Sequence, residues 1–140
     1  MDRLKLSGVF DHTVDPKGRV TLPARYRDYF ADGATVVRLP EREPCLSVFH
    51  ADSWDDFDAR HLEPLDPFGS SEDDWTQRDI YQSMFEVEVD KQGRILLPQQ
   101  LAKELNLSGA VKILGVKTHL EIWNPDTLAA RQAERREKHA

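Results

Sequence analysis

Apolar and polar residues alternate at Phe10, His12 and Val14, and again at Phe85, Val87 and Val89. Period two predicts a half-buried strand at each place. Asp15-Pro16-Lys17-Gly18 follows the first strand and Asp90-Lys91-Gln92-Gly93 the second. Both read as tight turns, because Asp can accept hydrogen bonds from the backbone just beyond it and Gly tolerates a positive φ. Arg19-Val20-Thr21-Leu22 and Arg94-Ile95-Leu96-Leu97 resume as strands. Pro23 and Pro98 then suit the first position of a helix, where a missing N–H costs nothing. Tyr26, Tyr29 and Phe30 fall at helical spacing, as do Leu101, Ala102 and Leu105, and Gly33 and Asn106 mark the two helix ends. Further strands are predicted over 35–39, 46–49, 111–116 and 119–123.

The two stretches are copies of each other. Val14-Asp15-Pro16-Lys17-Gly18-Arg19-Val20-Thr21-Leu22-Pro23 matches residues 89–98 at six of ten positions without a gap, at an offset of 75. Phe10 pairs with Phe85 upstream, Gly33-Ala34 with Gly109-Ala110 at an offset of 76, and 46–49 with 120–123 at an offset of 74. The unit is strand, turn, strand, helix, strand, strand, and the segment between the copies is an insertion. About 45 residues support little core alone. Two copies in one chain therefore predict a pseudo-twofold pair sharing one core, with the two Asp-x-x-Gly-Arg turns close together on one face. The fold class expected is α+β: a small interleaved β-barrel with peripheral helices. The divisions are 7–50 and 81–124 for the repeats, 51–80 for an acidic helical insertion, and 125–140 for a terminal helix and tail. In the insertion, Asp52 or Ser53 is the expected cap of a helix through Trp54 and Phe57, interrupted by Pro64 and Pro67. Phe68-Gly69-Ser70 reads as a loop and Ser71 as the cap of the next helix. Asn124-Pro125 starts the last helix, whose highly charged final residues are expected to fray.

Charge changes the picture. The 140 residues carry a net −6, but 1–40 hold 7 Lys/Arg against 5 Asp/Glu, 41–80 hold 3 against 12, and 81–140 hold 9 against 8. Nearly all the acidity lies in the middle of the chain, so the whole-chain charge describes neither end. One cysteine, Cys45, excludes an intrachain disulfide and a Cys-rich zinc site. No apolar run reaches the ~18 residues of a membrane span, and Met1-Asp2-Arg3-Leu4-Lys5 leads into no hydrophobic stretch, so a soluble cytoplasmic protein is expected. The five histidines pair with no other His or Cys at metal spacing, and Asp55, Asp56 and Asp58 lack the glycine and closing glutamate of a calcium loop. No nucleophile motif or phosphate-binding glycine loop is present. No enzyme activity, cofactor, metal or small-molecule substrate is expected.

Arg19 and Arg94 are the residues with two competing readings. One is an ion pair across the turn with Asp15 or Asp90. The other is a guanidinium offered to nucleic acid, bonding two acceptors of guanine or clamping a phosphate. Both hold together if Asp bonds the turn amides and leaves Arg free. Lys17 and Lys91 stand on the same turns, placed for phosphate. Arg3 and Lys5 widen the positive patch, whereas Arg25 and Arg27 read equally well as a solvated helix face. Tyr26, Tyr29, Phe30, Trp54 and Trp75 read as core or subunit interface.

The doubled Val-Asp-x-x-Gly-Arg-Val/Ile-x-Leu-Pro, with Pro-Ala-Arg-Tyr-Arg at 23–27 and His-Leu-Glu-Ile-Trp-Asn at 119–124, resembles the MraZ family of bacterial transcriptional regulators. The resemblance runs from about Leu6 through Trp123. It implies the AbrB-like swapped-hairpin fold and double-stranded DNA bound through the turns, with Lys17, Arg19, Lys91 and Arg94 as contacts and Asp15, Gly18, Asp90 and Gly93 shaping the turns. It implies ring-shaped homo-oligomers at the nucleoid, repressing at short direct repeats upstream of the division and cell-wall gene cluster, its own gene included. Gln92 stands where the first turn has Lys17, which makes the second hairpin the less basic. The alternative is an AbrB-like protein-interaction module of the antitoxin kind, against which two chain-filling repeats and a short tail count.

Overall fold

Gly18 and Gly93, at φ +85° and +79°, turn the chain back on itself in each repeat, a backbone region that other residues enter only at a cost. The structure is a computed structural model that describes residues 4–40, 42–66, 68 and 71–139. The first turn joins β1 (Val9–Val14) to β2 (Arg19–Thr21). A single 3-10 turn (Ala24–Tyr26) leads to β3 (Ala34–Val37) and β4 (Leu46–Phe49). The insertion supplies α1 (Ala51–Phe57), a wide π turn (Asp58–Leu62) and α2 (Ser71–Tyr81). The second repeat gives β5 (Met84–Val87), β6 (Arg94–Leu96), α3 (Gln99–Glu104), β7 (Gly109–Gly115) and β8 (Leu120–Trp123), and α4 (Pro125–Lys138) follows.

The strands form one antiparallel sheet in the order β5-β3-β4-β8-β7-β1-β2-β6. The first strands of each repeat pair with the other repeat: β1 with β7, β5 with β3, and β2 with β6. The end strands β5 and β6 are joined by the second hairpin, so the sheet is a nearly closed barrel. Exchanging the repeats maps this circular order onto itself. The pseudo-twofold axis passes between Val20 and Ile95, which are direct partners, and between Ser47 and Glu121. The expected interleaved α+β barrel is therefore present.

Val20, Leu22, Phe30, Val36, Leu46 and Val48 from the first repeat meet Ile95, Ile113, Leu120 and Ile122 from the second inside the barrel, all at 0–1% exposure. Each such side chain is worth about 1.5–3 kcal/mol of burial, so neither repeat holds its share alone. The outer faces are covered too. Val37 and Phe49 lie under Trp54, Leu62 and Ile80 of the insertion, and Trp123 lies under Leu128 of α4.

Several local expectations need correction. The predicted first-repeat helix is one 3-10 turn followed by further turns, bonded as Tyr26 N–H to Pro23 O (2.9 Å) and Gly33 N–H to Phe30 O (2.9 Å). Tyr26 is pinned from outside, its hydroxyl accepting from Ser7 N–H (2.8 Å) and donating to Ser7 O (3.0 Å), and this anchoring overrides the helical spacing. The cap of α1 is His50, whose Nδ1 accepts from Asp52 N–H (3.1 Å), because the chain passes from β4 straight into the helix. The inward residues of β3 and β7 are Ala34 and Val36 against Val111 and Ile113, an offset of 77 where the sequence suggests 76. Trp75 is 58% exposed, whereas Tyr26, Phe30 and Trp54 are buried. Asn124 caps α4 as expected, accepting from Asp126 and Thr127 N–H, and the charged stretch stays helical to Lys138, with Arg131 bridging to Glu43 at 2.8 Å and Glu134 at 3.1 Å. Pro67, Gly69 and Ser70 of the expected loop lie outside the described residues.

Candidate nucleic-acid interface

The two turns are built alike. Asp15 Oδ1 accepts from Lys17 N–H and Arg19 N–H, both at 2.9 Å, and its Oδ2 accepts from Arg19 Nε at 2.9 Å. Asp90 Oδ1 accepts from Gln92 N–H (2.9 Å) and Arg94 N–H (2.8 Å), and its Oδ2 from Arg94 Nε (2.7 Å). The ion-pair reading and the presentation reading thus merge. Asp does not leave the guanidinium free; it holds Nε. Among the described residues neither terminal guanidinium nitrogen of Arg19 or Arg94 makes a hydrogen bond or ion pair. A guanidinium anchored by one edge and open at the other is fixed in direction before any ligand arrives, which lowers the ordering cost of binding.

The register of β2 and β6 decides where these groups point. Arg19 faces Leu96, Val20 faces Ile95 and Thr21 faces Arg94. Val20 and Ile95 point into the core, at 0% and 1% exposure, so Arg19, Thr21, Arg94 and Leu96 share the outward face. The two arginines are diagonal neighbours, with Cα atoms about 8–9 Å apart from strand geometry. The ribbon is locked at both ends across the repeats, Leu22 N–H donating to Gly93 O (2.8 Å) and Leu97 N–H to Gly18 O (2.9 Å). The structure therefore brings both predicted arginines onto one face, on the pseudo-twofold axis, with the exposed Lys17 and Lys91 on turns at opposite ends of it.

A family model described as "MraZ protein, putative antitoxin-like" matches residues 6–68 and 80–139. The chain belongs to the MraZ family. It is 38% identical to the "Transcriptional regulator MraZ" of Roseiflexus castenholzii over 84% of this chain and 80% of that protein. It is 36% identical to that of Thermomicrobium roseum over 91% and 86%, and 36% identical to that of Acetivibrio thermocellus over 84% and 79%.

Within this MraZ fold, Arg27, which the sequence reads equally as part of the positive patch or as a solvated helix face, lies at the second turn. A Cβ built on Gly93 would lie 2.5 Å from Arg27 Cδ and 2.8 Å from its Cγ, so the Arg27 side chain lies across the second turn. Its Nε donates to Leu22 O (3.1 Å), at the end of β2. The first repeat thus lends a cation to the second hairpin and makes up for Gln92. The signal lies in the pairing of β2 with β6, which carries Pro-Ala-Arg-Tyr-Arg past the opposite turn. The equivalent position at the first turn is Ala102, and no arginine covers Gly18. Lys5 is elsewhere. Its neighbour Leu6 bridges Lys117, eight residues and about 26 Å of strand from the end of β1 that meets the first turn. Arg3 lies outside the described residues.

The turn carboxylates titrate low. Backbone N–H donation from Arg19 to Asp15, and from Arg94 to Asp90, holds each below the ordinary 3.8, helped by the arginine side chains. Burial, then the Arg27 charge, lowers His12 below 6.5. All three shifts disfavour the protonated form in the folded state. Each therefore contributes stability above its unfolded pKa that is lost as pH falls toward the folded value. Melting temperature is expected to decline gently below pH 6.5 and again below pH 4. His12→Gln should remove the first step, and Asp15→Asn with Asp90→Asn should reduce the second. A melting curve flat from pH 7 to pH 3 contradicts this.

Proposed function

We propose that the chain is a sequence-specific DNA-binding transcriptional regulator. In this reading it is a repressor at short direct repeats upstream of the division and cell-wall gene cluster, its own gene included. It works in the cytoplasm, on nucleoid DNA. The observation that carries the reading is the outward face of β2 and β6, where two edge-anchored arginines stand beside lysine-bearing turns. Arg19 and Arg94 address guanine or phosphate, and Lys17, Lys91 and Arg27 contact phosphate. The acidic insertion packs on the outer face of β3 and β4, leaving this ribbon uncovered.

One barrel offers few contacts, and linked subunits on successive repeats multiply affinity. A ring built from one head-to-tail contact matches direct repeats, as a twofold dimer matches palindromes. Light scattering at micromolar concentration is expected to give a mass several times 16.1 kDa; a monomer would exclude the ring. Mobility shift with the DNA upstream of the chain's own gene tests the function. The shift should weaken steeply with salt, because phosphate contacts release counterions. A salt-insensitive complex would remove the turns from the DNA backbone.

The antitoxin-like part of the family description keeps a second reading in view, a module that binds a protein through its helices. The 14-residue α4 is a continuous helix anchored by Leu128 and Arg131, unlike a free neutralising tail. Absence of any shift at low salt, with a tight protein partner recovered instead, would favour this second reading.

A further inference from the structure

The ribbon face is symmetric in its arginines and asymmetric in what stands opposite them. Arg19 faces Leu96, and Arg94 faces Thr21, the position equivalent to Leu96 in the first repeat. Leu96 is 58% exposed, whereas Thr21 is half-buried. The exposure of Leu96 has a local cause. At the second turn Arg27 lies over Gly93, but at the first turn the equivalent Ala102 leaves open space, and a Cβ on Gly18 would meet only Leu96 Cδ1, at 3.7 Å. An open groove lies here, lined by Lys17, Gly18, Leu96 and Ala102 together with Phe85 and Glu86 of β5. An isobutyl group thus stands in solvent beside an anchored guanidinium, with Lys17 at its edge.

The pairing parity sharpens the geometry. Leu97 N–H donates to Gly18 O and Leu22 N–H to Gly93 O, so Arg19–Leu96 and Thr21–Arg94 are the non-hydrogen-bonded pairs, whose Cα atoms lie about 4.5 Å apart. That separation is close to the ~3.4 Å rise between stacked bases, so a bonded arginine and its partner side chain meet neighbouring base pairs. Guanidinium suits guanine, and an exposed aliphatic group suits the C5 methyl of thymine, the one apolar feature of the major groove. Resting on the DNA-binding reading above, we infer that Leu96 is a specificity residue that contacts a thymine methyl next to the base bound by Arg19. Thr21 gives the Arg94 half a different partner. A face that is twofold in its charges thereby reads DNA with a direction, as repeats in one orientation require.

The test uses the full-length protein and a duplex of its own upstream DNA, prepared with thymine or with uracil throughout. Uracil removes the methyl and keeps base pairing. Wild type is expected to bind the thymine duplex about three- to fourfold more tightly per occupied repeat, the worth of one buried methyl. Leu96→Ala should bind the two duplexes equally, with an unchanged melting temperature, since the side chain is exposed. Leu96→Met, which restores apolar reach, should recover the preference. The inference is overturned if wild type shows no thymine preference or if Leu96→Ala keeps it. It is equally overturned if Leu96→Ala changes the oligomer mass, which would place Leu96 in a subunit contact. Wild type that binds neither duplex at low salt overturns the DNA reading itself, and the inference with it.

Discussion

Arg19→Ala and Arg94→Ala are each expected to abolish the mobility shift while the protein melts within a few degrees of wild type. The loss in binding follows from what the guanidiniums offer. Each presents its terminal nitrogens outward from a ribbon whose other face is core, and one bidentate contact is worth about 1–3 kcal/mol. In an assembly that engages several repeats, the loss recurs in every subunit, so a tenfold defect per site removes the complex from view. The small effect on folding follows from what remains. Asp15 keeps the N–H bonds of Lys17 and Arg19, and Asp90 those of Gln92 and Arg94, when the arginine side chain is gone. What is lost is an ion pair about one-third exposed on both partners, whose attraction water and salt screen, so it adds little to stability. The two variants should be similarly impaired, because Lys17 supports the first hairpin and Arg27 the second. Arg19→Lys keeps the charge and loses the fork, and should fall between. A purely structural role predicts the reverse: early melting, with the folded fraction still binding normally.

The repeat carried most of the fold. Ten residues seen twice, with Val14, Asp15, Gly18 and Arg19 in the same order as Val89, Asp90, Gly93 and Arg94, gave the hairpin, its turn and the pseudo-twofold. Turn chemistry is local, so Asp and Gly specify it wherever the chain goes. What local pattern does not hold is which repeat a strand pairs with. That β2 lies against β6 follows only once both apolar faces need one core, and with it come the shared face of Arg19 and Arg94, the reach of Arg27 and the exposure of Leu96. The first-repeat helix failed for a related reason. Tyr26, Tyr29 and Phe30 have helical spacing, but the Tyr26 hydroxyl is held by Ser7, nineteen residues away, and no periodicity encodes that anchor. His50 as a cap was hidden because its imidazole replaces the usual Asp or Ser oxygen.

Gly115→Ala is expected to cost about 3 kcal/mol and lower the melting temperature by about 10 °C, the largest stability effect of any glycine substitution among the described residues. Its φ is ordinary, so the cost is spatial. A Cβ there would overlap the backbone of Ser7, lying 2.6 Å from both its Cα and its carbonyl carbon, as well as meeting its nitrogen. Backbone cannot rotate aside as a side chain does. Gly115 N–H donates to Gly8 O (2.9 Å), and Leu6 and Lys117 exchange bonds of 2.9 and 2.7 Å. Moving Ser7 therefore unzips this end of the sheet, releases the Tyr26 hydroxyl and exposes Leu6, now 2% exposed. Gly93→Ala makes the contrast. It carries a positive φ, but its clash is with Arg27, whose flexible chain can swing away, so about 1–2 kcal/mol is expected. The functional consequences invert that order. Gly115 lies at the far end of β7 from the first turn, so the folded fraction of Gly115→Ala should bind DNA as wild type does. Gly93→Ala, which displaces Arg27 from the second hairpin, should bind weakly even when fully folded. Melts and mobility shifts on the two proteins side by side measure both halves of this expectation. Equal binding defects per folded molecule would mean that the barrel's two ends are not separable in the way the strand register implies.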